Sequence, residues 1–275
     1  MGELREAVGF LCRWLLLFLA AAAVVAALGG VLAGTAPAGQ TASRMFVPDE
    51  LAAGTRKVYV RGLVLAGVGE VTVPLLFQSA DGCLSKGYAE RESLYVEYHP
   101  PGPGSHRIVL QGMPYGPLTY ERARNTVVIA APAQPVFLVD ARMAQELAEQ
   151  RLPDLKECAL LLGRRGVVAF FHPGRANELD RARAGLRRLG FDTPVVGSAK
   201  SEPGAMDAIL RVGSATKQKP TVITSDAALA RQAAGQGFRT ELVGALPIGG
   251  PSAMLHVHES LEKFKASLGA QPIAP

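Results

Sequence analysis

The sequence predicts an α/β domain built on a parallel sheet, preceded by a small all-β, sandwich-like domain and an N-terminal transmembrane helix. Three observations carry this expectation. Pro135-Val136-Phe137-Leu138-Val139-Asp140 is a short, nearly all-apolar run that ends in a carboxylate, the pattern of a strand buried on both faces of a parallel sheet. After it, apolar β-branched runs alternate with helical periodicity, which implies right-handed strand–helix units. Far upstream, residues 14–33 form an uninterrupted apolar stretch, long enough at the helical rise to cross a bilayer core.

Trp14 sits where an interfacial aromatic belongs, and Arg5 and Arg13 precede the apolar run. With the amino terminus they outweigh Arg44 on the other flank. This puts the N-terminus in the cytoplasm and the body outside the cytosol, as in a single-pass membrane protein. A secretory signal peptide, cleaved near Ala36-Pro37-Ala38 and leaving a secreted chain, is the competing reading. The apolar region is longer than a usual signal core, which favours an uncleaved anchor over residues 1–34. Residues 35–54 are rich in Ala, Gly, Thr and Pro and read as a flexible linker.

The formal charge of +5 arises from 29 Lys and Arg against 24 Asp and Glu. The basic residues are scattered. Their one concentration, residues 175–188, is interleaved with Glu178 and Asp180 and reads as a solvated helix face, so no nucleic-acid partner is expected. Cys12, Cys83 and Cys158 have no metal-like spacing. Cys83 and Cys158 could pair only outside the cytosol, and separate thiols are the simpler reading.

Residues 55–133 form the predicted β domain. Residues 58–65 and 70–78 are rich in Val, Leu and aromatics and flank Gly67-Val68-Gly69, which reads as a hairpin. Residues 93–98, 106–111 and 126–130 are further strands, separated by turn-forming Asp81-Gly82 and Pro100-Pro101-Gly102-Pro103-Gly104. Five or more short strands at this spacing imply an antiparallel sandwich or barrel. His99 and His106 read as loop residues, and Tyr59, Tyr95 and Tyr98 as packing residues.

Residues 134–250 form the α/β domain. A helix over residues 141–150 follows Asp140; residues 152–158 lead through Ala159-Leu160-Leu161-Leu162 to a second strand, residues 166–171, ending in His172-Pro173-Gly174. A helix over 176–189 stops at Gly190. The strand 194–196 precedes Lys200, and Pro203 suits the first turn of the next helix. The strand 221–224 ends in Ser225-Asp226, the helix 227–234 follows, and the last strand is 240–243. Residues 251–275 read as a tail with a short helix. Within it, His256-Val257-His258 has the spacing of a strand.

This order of parts resembles the Rossmann-like fold of the haloacid dehalogenase-like (HAD-like) hydrolases over residues 135–244. In that family strand one ends in Asp-x-Asp, a nucleophile and then a general acid/base. Strand two ends in a phosphate-holding Ser or Thr, a Lys follows strand three, and acids after strand four hold Mg²⁺. On this resemblance Asp140 matches the second Asp, and Leu138 stands at the nucleophile position. His172 replaces the hydroxyl residue, Lys200 fits the third motif, and Ser225-Asp226 opens the fourth without a second acid. Leucine can neither attack phosphorus nor hold a metal. Asp140 and Asp226 then make an incomplete Mg²⁺ site, no other cofactor is implied, and an efficient phosphatase is not expected. The β domain before a HAD-like domain also resembles lipid-phosphate phosphatases related to lipins, a family with catalysis-deficient members that retain lipid-phosphate binding.

The expected function is therefore a membrane-anchored, non-catalytic binding module. Asp140, His172, Lys200, Ser225 and Asp226 would face a phosphorylated small molecule, a lipid phosphate or a protein partner. Two rival readings stand beside it. A divergent metal-dependent hydrolase, such as a PIN-like nuclease or an atypical phosphatase, needs further acids, and Glu178, Asp180 and Asp207 are the candidates. A structural cell-envelope protein needs none. Asp140 and Asp226 also suit plain helix N-caps.

Overall fold

Alternating apolar and polar side chains build the first lobe. In β3 (Val58–Leu65) Val58 and Val60 face inward while Tyr59 and Arg61 face solvent; in β6 (Ser93–Tyr98) Leu94, Val96 and Tyr98 are buried while Tyr95 is exposed. The computed structural model describes residues 44–54, 57–65, 73–79, 84–90, 93–112, 123–146, 151–174, 176–198, 204–216, 218–244 and 253–270. The anchor segment, residues 1–34, lies outside them. Among the described residues no helix is long and apolar enough to cross a membrane.

The other strands of this lobe are β1 (Arg44–Phe46), β2 (Glu50–Ala53), β4 (Val73–Ser79), β5 (Leu84–Glu90), β7 (Gly104–Gly112) and β8 (Ala123–Ala130). They run in the order β1-β3-β6-β5-β4-β7-β8-β2. All pairs are antiparallel except β2 with β8. β1 and β2 lie at opposite edges of the sheet although Val47-Pro48-Asp49 alone separates them, so the sheet must fold back on itself. Taken as one split first strand, they give first-second-fifth-fourth on one side and third-sixth-seventh on the other. That is the arrangement of an immunoglobulin-type Greek-key sandwich. Its core gathers Val60, Leu94, Val96, Ile108, Leu110 and Val127.

Two expectations need correction here. The stretch read as linker, residues 35–54, contains β1 and β2, and both are buried in the sheet. Strands of three and four residues carry too little local period to be read. The expected hairpin is also absent, since β3 pairs with β1 and β6 while β4 pairs with β5 and β7. Sequence neighbours here belong to opposite sides of the sandwich.

The second lobe is a six-stranded, wholly parallel sheet: β9 (Val136–Asp140), β10 (Val167–His172), β11 (Val195–Gly197), β12 (Thr221–Thr224), β13 (Thr240–Val243) and β14 (Leu255–His258). Their order is β11-β10-β9-β12-β13-β14, the doubly wound third-second-first-fourth-fifth-sixth pattern. Helices α4 (Ala205–Ala215) and α5 (Ala227–Gly235) cover one face, over Leu138, Phe171 and Val222. The other face, with Val139, Phe170 and Ile223, lies under α1 (Ala141–Glu146), α2 (Leu152–Gly163), α3 (Ala176–Arg188) and α6 (Leu261–Ala270). Residues 152–163 are a single helix, whose Pro153 sits in the first turn where its missing N–H costs nothing. Residues 255–270 are not a tail: β14 extends the sheet and α6 buries Leu261, Phe264 and Leu268 against it. Cys158 is a buried free thiol whose pKa burial pushes up to about 12, and Cys83 lies outside the described residues.

The lobes share a wall. In β2 and β8, Ala52 and Ile129 point into the sandwich core, while Leu51, Ala53, Val128 and Ala130 point into the α/β core. This ends the simple alternation of β8. The crossover between β1 and β2 is pinned by charge. Asp49 is buried, accepts from the backbone of Thr126 and Val195 at 2.7 Å each, and pairs with the buried Arg183 at 3.1 Å. Arg183 also donates to the Val47 carbonyl at 2.6 Å.

Candidate functional site

Sheet order reverses between β9 and β12, and in open parallel sheets ligands bind beside the strand C-termini at such a reversal. Asp140 is the last residue of β9 and Thr224 the last of β12; neither exposes any surface. Thr224 Oγ1 donates to Asp140 Oδ2 at 2.8 Å. Helix α1 starts directly after Asp140, so the Arg142 backbone N–H donates to Oδ1 at 3.0 Å, as at a helix cap. The Arg142 side chain folds back over the same carboxylate, with Nε 3.1 Å from Oδ1 and Nη2 2.7 Å from Oδ2. Nη2 also reaches Asp226 Oδ2 at 3.3 Å.

Asp226 caps α5, accepting from Ala228 and Leu229 at 2.9 and 3.1 Å. The Leu229 and Ala228 N–H groups, helped by Arg142, hold its carboxyl below the ordinary value of 3.8. The Asp140 carboxylate in turn holds the Arg142 guanidinium firmly protonated. Because the folded-state pKa of Asp226 is depressed, the stability it contributes is present above pH 3.8 and lost as pH falls through the lowered value. Asp226→Ala should therefore cost about 1 kcal/mol at neutral pH. The difference from wild type should fade in acid, as urea unfolding at a series of pH values would measure.

His172 ends β10, one residue past Phe171, the register partner of Asp140. Gly174 N–H donates to its Nδ1 at 3.0 Å, leaving the neutral ring its proton on Nε2. Burial lowers its pKa against the raising charges of Glu178 and Asp140, so the ring is neutral at pH 7. Ser225 Oγ donates to Glu146 Oε2 at 3.5 Å, and among the described residues no histidine is hydrogen-bonded to it. Lys200 lies outside the described residues.

Leu138, which the motif spacing puts at the attacking position, is two residues inside β9 and wholly buried in the apolar core. The carboxylate at the end of β9 is therefore Asp140, not the position of Leu138 where the motif spacing places the first acid, and Arg142 stands two residues after it. Sequence reasoning overlooked Arg142. The i+2 spacing after a strand-end Asp was visible, but its second partner lies 84 residues away.

The Mg²⁺ that this carboxylate pattern implies does not fit these residues. Asp140 has its oxygens engaged by two N–H donors of one guanidinium, a backbone N–H and a hydroxyl. Arg142 itself lies between the two carboxylates a cation would bridge. Among the described residues no three His, Cys, Asp or Glu side chains are grouped to hold a metal ion. Asp180 instead pairs with Arg183, Asp207 accepts from Gly204 N–H at the start of α4, and His99 and His106 bond Glu97 and the Gly102 carbonyl.

No protein-family description and no curated protein matches the chain. Solved structures give faint likenesses. The fibronectin(III)-like modules of Clostridium thermocellum CbhA align at 13% identity over 32% of this chain and 96% of that one, with a TM-score of 0.24. A β-glucuronidase from Ruminococcus gnavus aligns at 12% identity over 68% and 45%, with a TM-score of 0.28. A sialyltransferase from Photobacterium damsela aligns at 9% identity over 66% and 36%, with a TM-score of 0.19. The chain spans less than half of the two enzymes, and none of these scores carries an argument about function.

Proposed function

We propose that this chain is a non-catalytic, HAD-like binding module, held at a membrane by residues 14–33, with its body outside the cytosol. The observation that supports it is the guanidinium of Arg142 lying between Asp140 and Asp226. On this reading Asp140 is the family's strand-end carboxylate and Arg142 replaces its second acid. The arginine supplies, as a fixed charge, the neutralisation that a divalent cation supplies in a working enzyme. An attacking carboxylate needs a free oxygen aimed at phosphorus; Asp140 has none to spare.

The charge balance speaks for a protein partner over a phosphate at this crevice. Asp140, Arg142 and Asp226 sum to one negative charge, and the N-terminus of α5, otherwise a ready anion site, is taken by Asp226. The sandwich lobe presents Tyr59 and Tyr95 on adjacent strands, 46% and 40% exposed, beside Lys57 and Arg61. Exposed Tyr and Arg are the residue types that anchor protein interfaces.

The test is direct. The wild-type chain with Mg²⁺ and p-nitrophenyl phosphate should stay at background, and turnover that disappears in Asp140→Ala would reject the reading. Arg142→Asp should convert the crevice into a divalent-cation site. Millimolar Mg²⁺ should then raise the melting temperature of that variant and leave the wild type unmoved.

A further inference from the structure

The N-terminal edge of the parallel sheet, at the other end of its strands from the crevice, is incompletely covered. Val168, Phe137 and Thr221 stand side by side in register on β10, β9 and β12. Arg239, one residue before β13, continues the row. The next row on the same face, Phe170, Val139 and Ile223, is buried, as the inner strands of a helix-covered sheet should be. The edge row is not: Val168, Phe137 and Thr221 are partly exposed and Arg239 is exposed. Beside this row, between the C-terminal ends of α2 and α6, is a cavity of about 380 Å³. Phe137 and Thr221 line it from the sheet, Arg164 and Arg165 from the end of α2, and Ser267 and Leu268 from α6. That volume and mixture are those of a small-ligand site, an apolar surface with a few polar groups at its margin.

The charges around it are unequal. Arg164, Arg165 and Arg239 line the cavity against one carboxylate, Glu241. That carboxylate is already held, Oε1 by Arg239 Nε at 3.0 Å and Oε2 by His258 Nε2 at 2.8 Å. Arg165 donates to the Leu268 carbonyl and so answers the negative end of α6. Both remaining cations are open to solvent: Arg164 is exposed, and 51% of the Arg239 side chain is.

We propose that this cavity binds a small amphipathic anion, a carboxylate carried on a ring or a short aliphatic chain. Its apolar body would lie on Phe137 and its carboxylate at Arg164 and Arg239. Charge decides the head group, because three arginines against one glutamate leave the lining positive, and guanidinium groups bind carboxylates through charge-assisted hydrogen bonds. The part-exposed ring of Phe137 decides the body, since an inorganic anion would leave that ring in water. The site shares no residue with the crevice at Asp140 and does not depend on the reading of that crevice.

The experiment titrates the purified full-length chain in lipid nanodiscs with phenylacetate, at constant ionic strength, and reads saturation-transfer NMR and the melting temperature. Phenethyl alcohol supplies the ring without the charge, and acetate the charge without the ring. Phenylacetate should bind saturably and about tenfold or more tighter than either. Arg164→Glu reverses an exposed charge and should weaken phenylacetate about tenfold or more while leaving the alcohol unchanged. Ser267→Phe puts a ring into the cavity from the partly exposed side of α6 and should abolish binding, with the circular dichroism of the folded chain retained. The same two variants separate the cavity from partition into the lipid, which neither would alter. No saturable phenylacetate binding, equal binding of phenylacetate and its alcohol, or binding undiminished in both variants would overturn the proposal.

Discussion

Replacing Asp49 with alanine should lower the unfolding free energy by about 4 kcal/mol, the largest effect expected of a single change in this molecule. The carboxylate is 5% exposed and meets four donors: two backbone N–H groups from β8 and the start of β11, and two nitrogens of Arg183. Alanine leaves a buried guanidinium, itself 8% exposed, with Asp180 as its one carboxylate partner among the described residues, and leaves the two N–H groups dry. Each unmade buried bond costs about 1–3 kcal/mol. Because these bonds cross from one lobe to the other, the loss should also appear as a change of cooperativity. Urea unfolding followed by far-UV circular dichroism and by tyrosine fluorescence should coincide in the wild type and separate in Asp49→Ala. Coincident curves with an unchanged midpoint would show that the crossover is not what couples the lobes.

Arg142→Ala comes second, at about 2–3 kcal/mol. Asp140 keeps the Thr224 hydroxyl and one backbone N–H but loses its counter-charge while exposing no surface. Breaking a buried pair by removing one partner costs about 3–5 kcal/mol when both are deep. Arg142 has 30% of its side chain exposed, so water offsets part of that cost. The pair predicts its own control. Asp140→Asn in the Arg142→Ala background should recover most of the loss, because a neutral amide needs no cation. A double-mutant cycle that returned a coupling energy near zero would mean that the guanidinium is merely resting on the carboxylate.

Much of the α/β lobe is legible in the chain alone. The strands 221–224 and 240–243 are read to the residue, and the helix 176–189 to within one. Long apolar runs and 3.6-residue periodicity are local signals and survive without tertiary context. Capping by Asp226 was legible for the same reason, since an Asp before Ala-Ala-Leu already holds the chemistry of an N-cap. The sandwich lobe was half legible. Its composition announced strands, yet β1, β2 and β5 went unread, and the partner of β3 was misassigned because pairing across a Greek key is set by which faces must be buried together. Tyr59 and Tyr95, read as packing residues, face solvent, while Tyr98 on the same β6 is buried; one register step separates the two outcomes.

The sequence by itself determined the kinds of elements, the carboxylates at two strand ends and the apolar run at residues 14–33, because each depends on residues within one or two turns of one another. Only the tertiary structure decided that Leu138 is core, that Arg142 bridges Asp140 to Asp226, and that Arg183 and Arg211 clasp a crossover more than 130 residues upstream. Those facts are long-range. A guanidinium pairs with whichever carboxylate the sheet order brings within about 3 Å of it, and sheet order follows from burying two faces at once, which no local stretch of chain encodes.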